Sequence, residues 1–95
     1  IMGTFVEETR KKRDLLEKAM CDRDMAVVTT LTHQLLPLFV MVGATGNKEN
    51  LEWFEQRRSE TVYPAEADAR ITAILEETGR IISEAEKEFG LNIGI

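Results

Sequence analysis

A run of mostly apolar residues at helical spacing in the last third of the chain restricts the possible folds more than any other feature. Its members alternate by four and three positions: Ile71, Leu75, Thr78, Ile82, Ala85 and Phe89. Because residues three and four apart are neighbours on an α-helix, this spacing predicts one long amphipathic helix. Pro64 suits the N1 position of that helix, and Gly90 suits its end. Such a helix must bury its apolar face against other elements.

The rest of the chain carries start and stop signals for three more helices. Thr4–Glu7 has the spacing of a capping box and predicts a first helix over about residues 5–20. The apolar face of that helix is expected to contain Phe5, Leu16, Ala19 and Met20, with Thr9 and Lys12 on the same side. Asp22 is predicted to cap a second helix that runs to about Val42 and stops at Gly43.

Asn47 is predicted to cap a third helix, which fades near Ser59, and strand patterns are nearly absent. Helices joined by short connections bury their apolar faces against one another. We therefore expect an all-α, antiparallel up-down-up-down four-helix bundle. The 95 residues are expected to form one domain, residues 1–95, with a core over about 5–89 and a C-terminal tail over 90–95.

Charge and cysteine content exclude several classes of function. The formal net charge is −5, from 17 acidic and 12 basic residues, which argues against nucleic acid as a partner. The basic run Arg10–Arg13 is interpreted as a solvated helix face. Cys21 is the only cysteine and His33 the only histidine, so neither a disulfide nor a zinc site is expected. A cytoplasmic location fits this cysteine usage. No apolar run reaches the ~20 residues that span a bilayer, so no membrane contact is expected.

His33 is expected to point away from the core. The core face of the second predicted helix contains Val28, Leu31, Leu35, Phe39 and Val42. At about 100° per residue, His33 falls on the opposite side of the helix. Between Val27 and Val42 the sequence has no charged side chain. Either this helix is covered on all sides, or part of it is an apolar docking patch. We favour the patch, because every helix of a small bundle keeps an outer face.

The chemistry available to His33 is limited by its neighbours in the sequence. No serine or cysteine lies at a useful spacing for a nucleophilic triad. A neutral imidazole, however, carries a ring-nitrogen lone pair that can attack phosphorus. Pro37 removes the hydrogen bond to the His33 carbonyl. That change either curves the helix around the core or helps to orient the imidazole.

The sequence around His33 resembles the signature of histidine phosphotransfer (HPt) domains. The family pattern is Ala-His-x-Leu-Lys-Gly, followed by Gly-Ala or a similar pair. Here Thr32-His33-Gln34-Leu35 and Gly43-Ala44 correspond to it, and Cys21-Asp22 corresponds to the Gly-Asp that usually begins the histidine helix. The resemblance covers roughly residues 5–89, and it is greatest to the C-terminal HPt domains of hybrid two-component sensor kinases.

This resemblance implies that His33 is the phosphoryl acceptor, with Nε2 as the attacking atom. The phosphoryl group would come from an aspartate of a response-regulator receiver domain and pass on to another receiver. Mg²⁺ would belong to the receiver, so this monomeric phosphocarrier would need no cofactor or metal of its own. It would lie in the cytoplasm, tethered there if the full chain is a membrane sensor kinase. The docking residues for a transient complex would be Ala26, Thr29, Thr30, Gln34, Leu36, Pro37 and Val40.

Two positions depart from the family pattern. Leu36 stands where the family has a lysine that helps to neutralise the phosphoryl group, and Pro37 stands where it has a glycine. The alternative interpretation is therefore a catalytically inert, helical protein-interaction module, that is, a degenerate HPt domain. A homodimer that pairs through the apolar face of the second helix is a further alternative. An independent enzyme is poorly supported, because no acid–base pair or cofactor motif is found.

Four residues of the third predicted helix are also candidates for a role. Trp53 and Phe54 are expected to be rim and core residues rather than ligand-stacking residues, because aromatics at helical spacing usually pack. Arg57 or Arg58 would be able to replace the missing lysine only if it lay near His33. Exposed arginines more often serve solvation or surface pairing, and we expect that role for both.

Overall fold

The computed structural model describes residues 2–88, which form four α-helices and no strand. The helices are α1 (Met2–Asp22), α2 (Met25–Met41), α3 (Lys48–Glu55) and α4 (Ala67–Glu88). α1 packs against α2 and α4, and α3 packs against the same two helices. The prediction of an all-helical chain with four helices is confirmed for these residues. None of the four helices is long and apolar enough to cross a membrane.

The core lies where the four helices meet. Its fully buried side chains include Leu16, Val28, Leu35, Phe39, Leu51, Phe54, Ile71 and Ile74. Of the face predicted for the second helix, all but one residue are buried. The exception is Val42, which is 44% exposed because it lies at the C-cap, beyond the last helical turn. Burying a large apolar side chain contributes about 1.5–3 kcal/mol, so each of these core side chains stabilises the fold.

The predicted apolar faces of α1 and α4 are also largely buried. On α1, Leu16, Ala19 and Thr9 are buried, and Met20 is packed against the core. The side chain of Phe5 lies outside the described part of the structure. On α4 the buried members of the predicted run are Ile71, Leu75, Thr78 and Ile82, and Ala85 is half-buried. The predictions for Phe89 and Gly90 lie outside the described residues.

Both ends of α1 differ from the prediction. The helix begins at Met2, so the predicted capping box lies inside it. At the other end Asp22 belongs to the last turn, where it pairs with Lys18 at 2.9 Å. This i,i+4 pair supports one more half-turn of helix. The N-cap of α2 is therefore Asp24, whose carboxylate accepts a hydrogen bond from the Val27 N–H at 3.3 Å.

The prediction that α2 stops at Gly43 is confirmed. Gly43 has φ +74°, and its N–H donates to the carbonyl of Val40. The N–H of Ala44 donates to the carbonyl of Phe39 at 2.8 Å. These two bonds form a Schellman motif, which favours glycine at its left-handed position. The helix continues through Pro37 without interruption.

α3 ends earlier and α4 begins later than the sequence predicts. Asn47 does occupy the N-cap position of α3, but its side-chain oxygen accepts from the Asn50 amide instead of a backbone N–H. α3 ends at Glu55 rather than near Ser59. α4 begins at Ala67, so Pro64 is not its N1 residue. The Pro64 carbonyl accepts a hydrogen bond from the Ala67 N–H, which makes a separate turn ahead of the helix.

Tyr63 joins the connection before α4 to the rest of the fold. Its hydroxyl donates to Asp68 in the first turn of α4, and the Arg23 guanidinium lies 5.5 Å from its ring centroid. Partial burial and the Asp68 hydrogen bond raise the pKa of Tyr63 above its usual value. The α1–α2 turn and the connection before α4 therefore meet at one end of the molecule.

Candidate functional site

His33 lies on the outer side of α2, with its side chain 49% exposed. Its Nδ1 atom is 2.6 Å from Oε2 and 3.0 Å from Oε1 of Glu55, the last residue of α3. An ionised carboxylate only accepts hydrogen bonds, so Nδ1 carries the proton. The exposure expected for His33 is therefore observed, together with a partner from a neighbouring helix.

The packing of α3 explains how Glu55 reaches this histidine. Leu51 and Phe54 are 1% and 0% exposed and hold α3 against the core. Glu55 follows Phe54 directly and lies four residues after Leu51, so it stands at the edge of the buried face. Its side chain is 30% exposed. The buried side chains of Leu51 and Phe54 thus set the position of the Glu55 carboxylate.

The contact with Glu55 distinguishes the two ring nitrogens of His33. In the neutral imidazole, a proton held on Nδ1 leaves the lone pair on Nε2. Within residues 2–88, Nε2 has no hydrogen-bond partner. The contact with Glu55 therefore orients the imidazole and leaves Nε2 accessible on the outer side of α2. The Glu55 carboxylate would also stabilise a positive charge on the imidazole ring.

Sequence reasoning does not identify Glu55 as a site residue. The chain has 17 acidic residues, and no motif distinguishes one that pairs with a histidine on another helix. One signal is present in the sequence, because Glu55 follows Leu51 by one helical turn on a short amphipathic helix. That signal places the carboxylate beside the buried face but does not say which helix it meets.

The two arginines after α3 occupy different environments. Arg58 places Nη1 3.6 Å from Oε1 of Glu55, the same oxygen that lies 3.0 Å from Nδ1 of His33. Arg57 stacks on the Trp53 ring at 4.1 Å and donates to the Trp53 carbonyl at 3.0 Å. Arg70 lies 4.8 Å from the same ring. The expectation of surface pairing therefore holds for Arg58, but the pair is with the carboxylate that orients His33.

The aromatic pair of α3 packs as the sequence predicts. Phe54 is fully buried, and Trp53 is half-buried at the rim of the core. Their rings meet edge to face with centroids 4.8 Å apart, which is a favourable arrangement for an aromatic pair. Trp53 is covered by Arg57 and Arg70, so its ring serves packing and cation–π contact.

The structure separates the predicted docking residues into two groups. Five of these predicted residues have exposed side chains, namely Ala26, Thr30, Gln34, Pro37 and Val40. Thr29, by contrast, is only 2% exposed, and its hydroxyl donates to the Ala26 carbonyl. Leu36 is half-buried and packs against the core. The expectation that these two side chains point outward is wrong, because α2 packs against both α1 and α3 and buries a wider face than a single stripe.

The outer surface of α2 has no Asp, Glu, Lys or Arg side chain and combines polar residues with exposed apolar ones. Val27, Val40 and Met41 are 41%, 56% and 65% exposed. Within residues 2–88 this surface is not covered by another helix, so α2 is not buried on all sides, and a docking patch stays a prediction.

The structure offers no protein metal site at His33. Among residues 2–88, no three His, Cys, Asp or Glu side chains are grouped so that they could hold a metal ion. Glu55 is the only acidic residue in contact with the imidazole in this part of the chain.

No family model matches the chain, and no curated protein or solved structure matches it either. The resemblance to HPt domains therefore rests on the residues around His33 and on the helical architecture.

Proposed function

We propose that this chain is a histidine phosphotransfer domain of a two-component phosphorelay, with His33 as the phosphoryl carrier. The observation that carries the proposal is the Glu55 carboxylate 2.6 Å from Nδ1 of a half-exposed imidazole. This contact leaves Nε2 as the free nucleophile at the surface of a helix without charged side chains. The proposal includes an up-down-up-down bundle and a monomeric domain.

Contacts between α1 and α4 support the proposed topology. Arg10 on α1 pairs with Glu86 on α4, and Arg13 lies against Gly79. Higher residue numbers on α1 thus face lower numbers on α4, as expected for antiparallel helices. The α1–α2 turn, around Arg23, is too short for anything but a reversal of direction.

The proposed reaction is an in-line transfer from an aspartyl phosphate to His33. The Nε2 lone pair forms the new N–P bond while the bond between phosphorus and the acyl oxygen breaks. The aspartate leaves as a carboxylate with the bonding electron pair. The proton on Nδ1 stays in place, so the phosphorylated ring is cationic and the Glu55 carboxylate stabilises it. The reverse sequence returns the phosphoryl group to a second receiver.

The bundle contributes position, and the receiver contributes the remaining chemistry. Mg²⁺ and most charge stabilisation belong to the receiver active site in this proposal. A rigid helix that holds Nε2 in a fixed place lowers the entropic cost of the transfer. The five exposed docking residues on α2 form a small contact, as a transient relay complex requires. The proposed setting is the cytoplasm, where the domain is either free or part of a hybrid sensor kinase.

The test is phosphoryl transfer from a panel of phosphorylated receiver domains in the presence of Mg²⁺. The wild-type chain is expected to acquire an acid-labile, base-stable label, and His33→Ala is expected to acquire none. His33 is half-exposed, so the variant should keep its fold, which circular dichroism verifies. Each receiver is first shown to transfer to a known histidine acceptor. If competent receivers leave the folded wild type unlabelled, the inert interaction module becomes the better description.

A further inference from the structure

We infer that Arg58 is the cationic partner of a phosphoryl group on His33, in the role that a lysine at position 36 has in the family pattern. This inference rests on the proposed function and adds a specific residue to its site. Leu36 carries no charge and packs against the core. A cation for the phosphoryl group must therefore come from another part of the chain or from the receiver.

Arg58 has the shortest path to His33 of the arginines around α3. Its Nη1 and the Nδ1 atom of His33 both approach Oε1 of Glu55, at 3.6 and 3.0 Å. Because both groups contact the same carboxylate oxygen, the Arg58 guanidinium and the His33 imidazole lie close to each other. The Arg58 side chain is 48% exposed and is not held in a buried rotamer, and the inference requires that it turn from the Nδ1 side of the ring towards Nε2.

The neighbouring arginines are committed to other contacts. Arg57 donates to the Trp53 carbonyl and stacks on the Trp53 ring. Arg70 donates to Asn50 at 2.9 Å and pairs with Glu66 at 3.1 Å. Neither has a contact with Glu55 or His33 among the contacts of the described residues. Arg57 therefore provides a matched control, because it is adjacent in sequence and carries the same charge.

The chemistry of a guanidinium suits this role. An exposed ion pair is weak and easily exchanged for a better partner. A phosphoryl group offers more negative charge than a carboxylate that is already shared with an imidazole. Guanidinium binds phosphate oxygens through two parallel N–H donors, which a single carboxylate oxygen at 3.6 Å does not exploit. Transfer to Nε2 would thus draw Arg58 from Glu55 to the phosphoryl group, while Glu55 stays on Nδ1.

The experiment compares Arg58→Gln, Arg58→Lys and Arg57→Gln with the wild-type chain. A phosphorylated receiver that labels the wild type is the donor, and the rate of transfer and the lifetime of the phosphohistidine are measured. We expect Arg58→Gln to reduce the transfer rate about tenfold, in line with the loss of one charge-assisted hydrogen bond. Arg58→Lys is expected to recover most of this loss, and Arg57→Gln to stay near the wild type.

The protonation of the His33 ring shows whether Arg58 acts through the structure of the site or directly on the phosphoryl group. Nitrogen chemical shifts of the imidazole report whether Nδ1 still carries its proton in Arg58→Gln. We expect them to be unchanged in the unphosphorylated variant. The inference is overturned if Arg58→Gln and Arg57→Gln transfer equally well, or if Arg58→Gln alters the tautomer. Failure of the wild type to accept phosphate, in contrast, overturns the proposed function itself.

Discussion

The α1–α4 side of the molecule and helix α2 use charge in opposite ways. α1 and α4 are covered with charged side chains that pair with each other, as Arg10 does with Glu86 at 2.8 Å. Arg80 and Glu77 form a similar pair within α4. α2 has no charged residue between Met25 and Met41. Among the described residues, charged side chains contact α2 at its N-cap, where Asp24 accepts from the Val27 N–H, and at His33, which donates to Glu55.

This difference separates a solvated surface from one that can be covered. Charged groups hold water strongly, so burying the α1–α4 surface under a partner would be costly. The outer face of α2 loses little on desolvation, because its exposed side chains are small, aliphatic or uncharged polar. A partner that covers α2 would also reach Nε2 directly. The contrast thus supports a docking face on α2 and a structural role for the ion pairs of α1 and α4.

The largest expected effect is a loss of stability when Phe54, the buried residue next to Glu55, is truncated. Phe54→Ala removes a fully buried ring and is expected to lower the free energy of unfolding by about 3–5 kcal/mol. Urea denaturation followed by circular dichroism measures this loss. Val40→Ala is the control, because Val40 is 56% exposed and its loss should stay within about 0.5 kcal/mol. Equal losses would show that α3 is not held by the core.

The next effect is kinetic and tests the partner of the imidazole. Glu55→Gln removes the negative charge opposite Nδ1, so phosphoryl transfer to His33 should fall by about tenfold to a hundredfold. Glu52→Gln on the same helix is the matched control. The transfer assay measures both variants, and unfolding by urea should show similar stability. Wild-type rates in Glu55→Gln would mean that the hydrogen bond does not contribute to transfer.

A smaller effect distinguishes the observed cap of α2 from the predicted one. Asp24→Ala deletes the side chain that accepts from the Val27 N–H, and should cost about 1 kcal/mol of stability. Asp22→Ala removes only an exposed pair with Lys18, so its effect should be smaller. Thermal unfolding of the two variants checks the order. The reverse order would place the cap at Asp22 after all.

The smallest effect belongs to the α1–α4 surface. Arg10→Gln breaks an ion pair in which Arg10 is 49% exposed, and such pairs contribute about 0–1 kcal/mol. The loss should shrink further at high salt, because screening weakens exposed pairs. Urea denaturation at low and high ionic strength is the measurement. A loss above this range that persists in salt would give the α1–α4 charges a larger part in stability.

Local signals predicted most of the helices but not all of their ends. The left-handed glycine after α2 was predictable, because Gly43 is favoured where φ must be positive. The cap of α2 was not, since Asp22 and Asp24 are equivalent by composition, and only the backbone hydrogen bonds around Arg23, which has φ +54°, show that α1 ends after Asp22. Pro64 likewise suits either a helical N1 position or the separate turn that it forms.

The sequence by itself determined the class of fold and the candidate nucleophile. Helical spacing fixes which side chains share a face, so the burial of Leu35 and the exposure of His33 follow from rotation along one helix. Only the tertiary structure decided what meets His33. Glu55 lies on a different helix, Thr29 is buried because α2 has two neighbours, and Arg58 reaches the same carboxylate. Contacts between helices depend on how the faces pack, and periodicity within one helix carries no information about its partner.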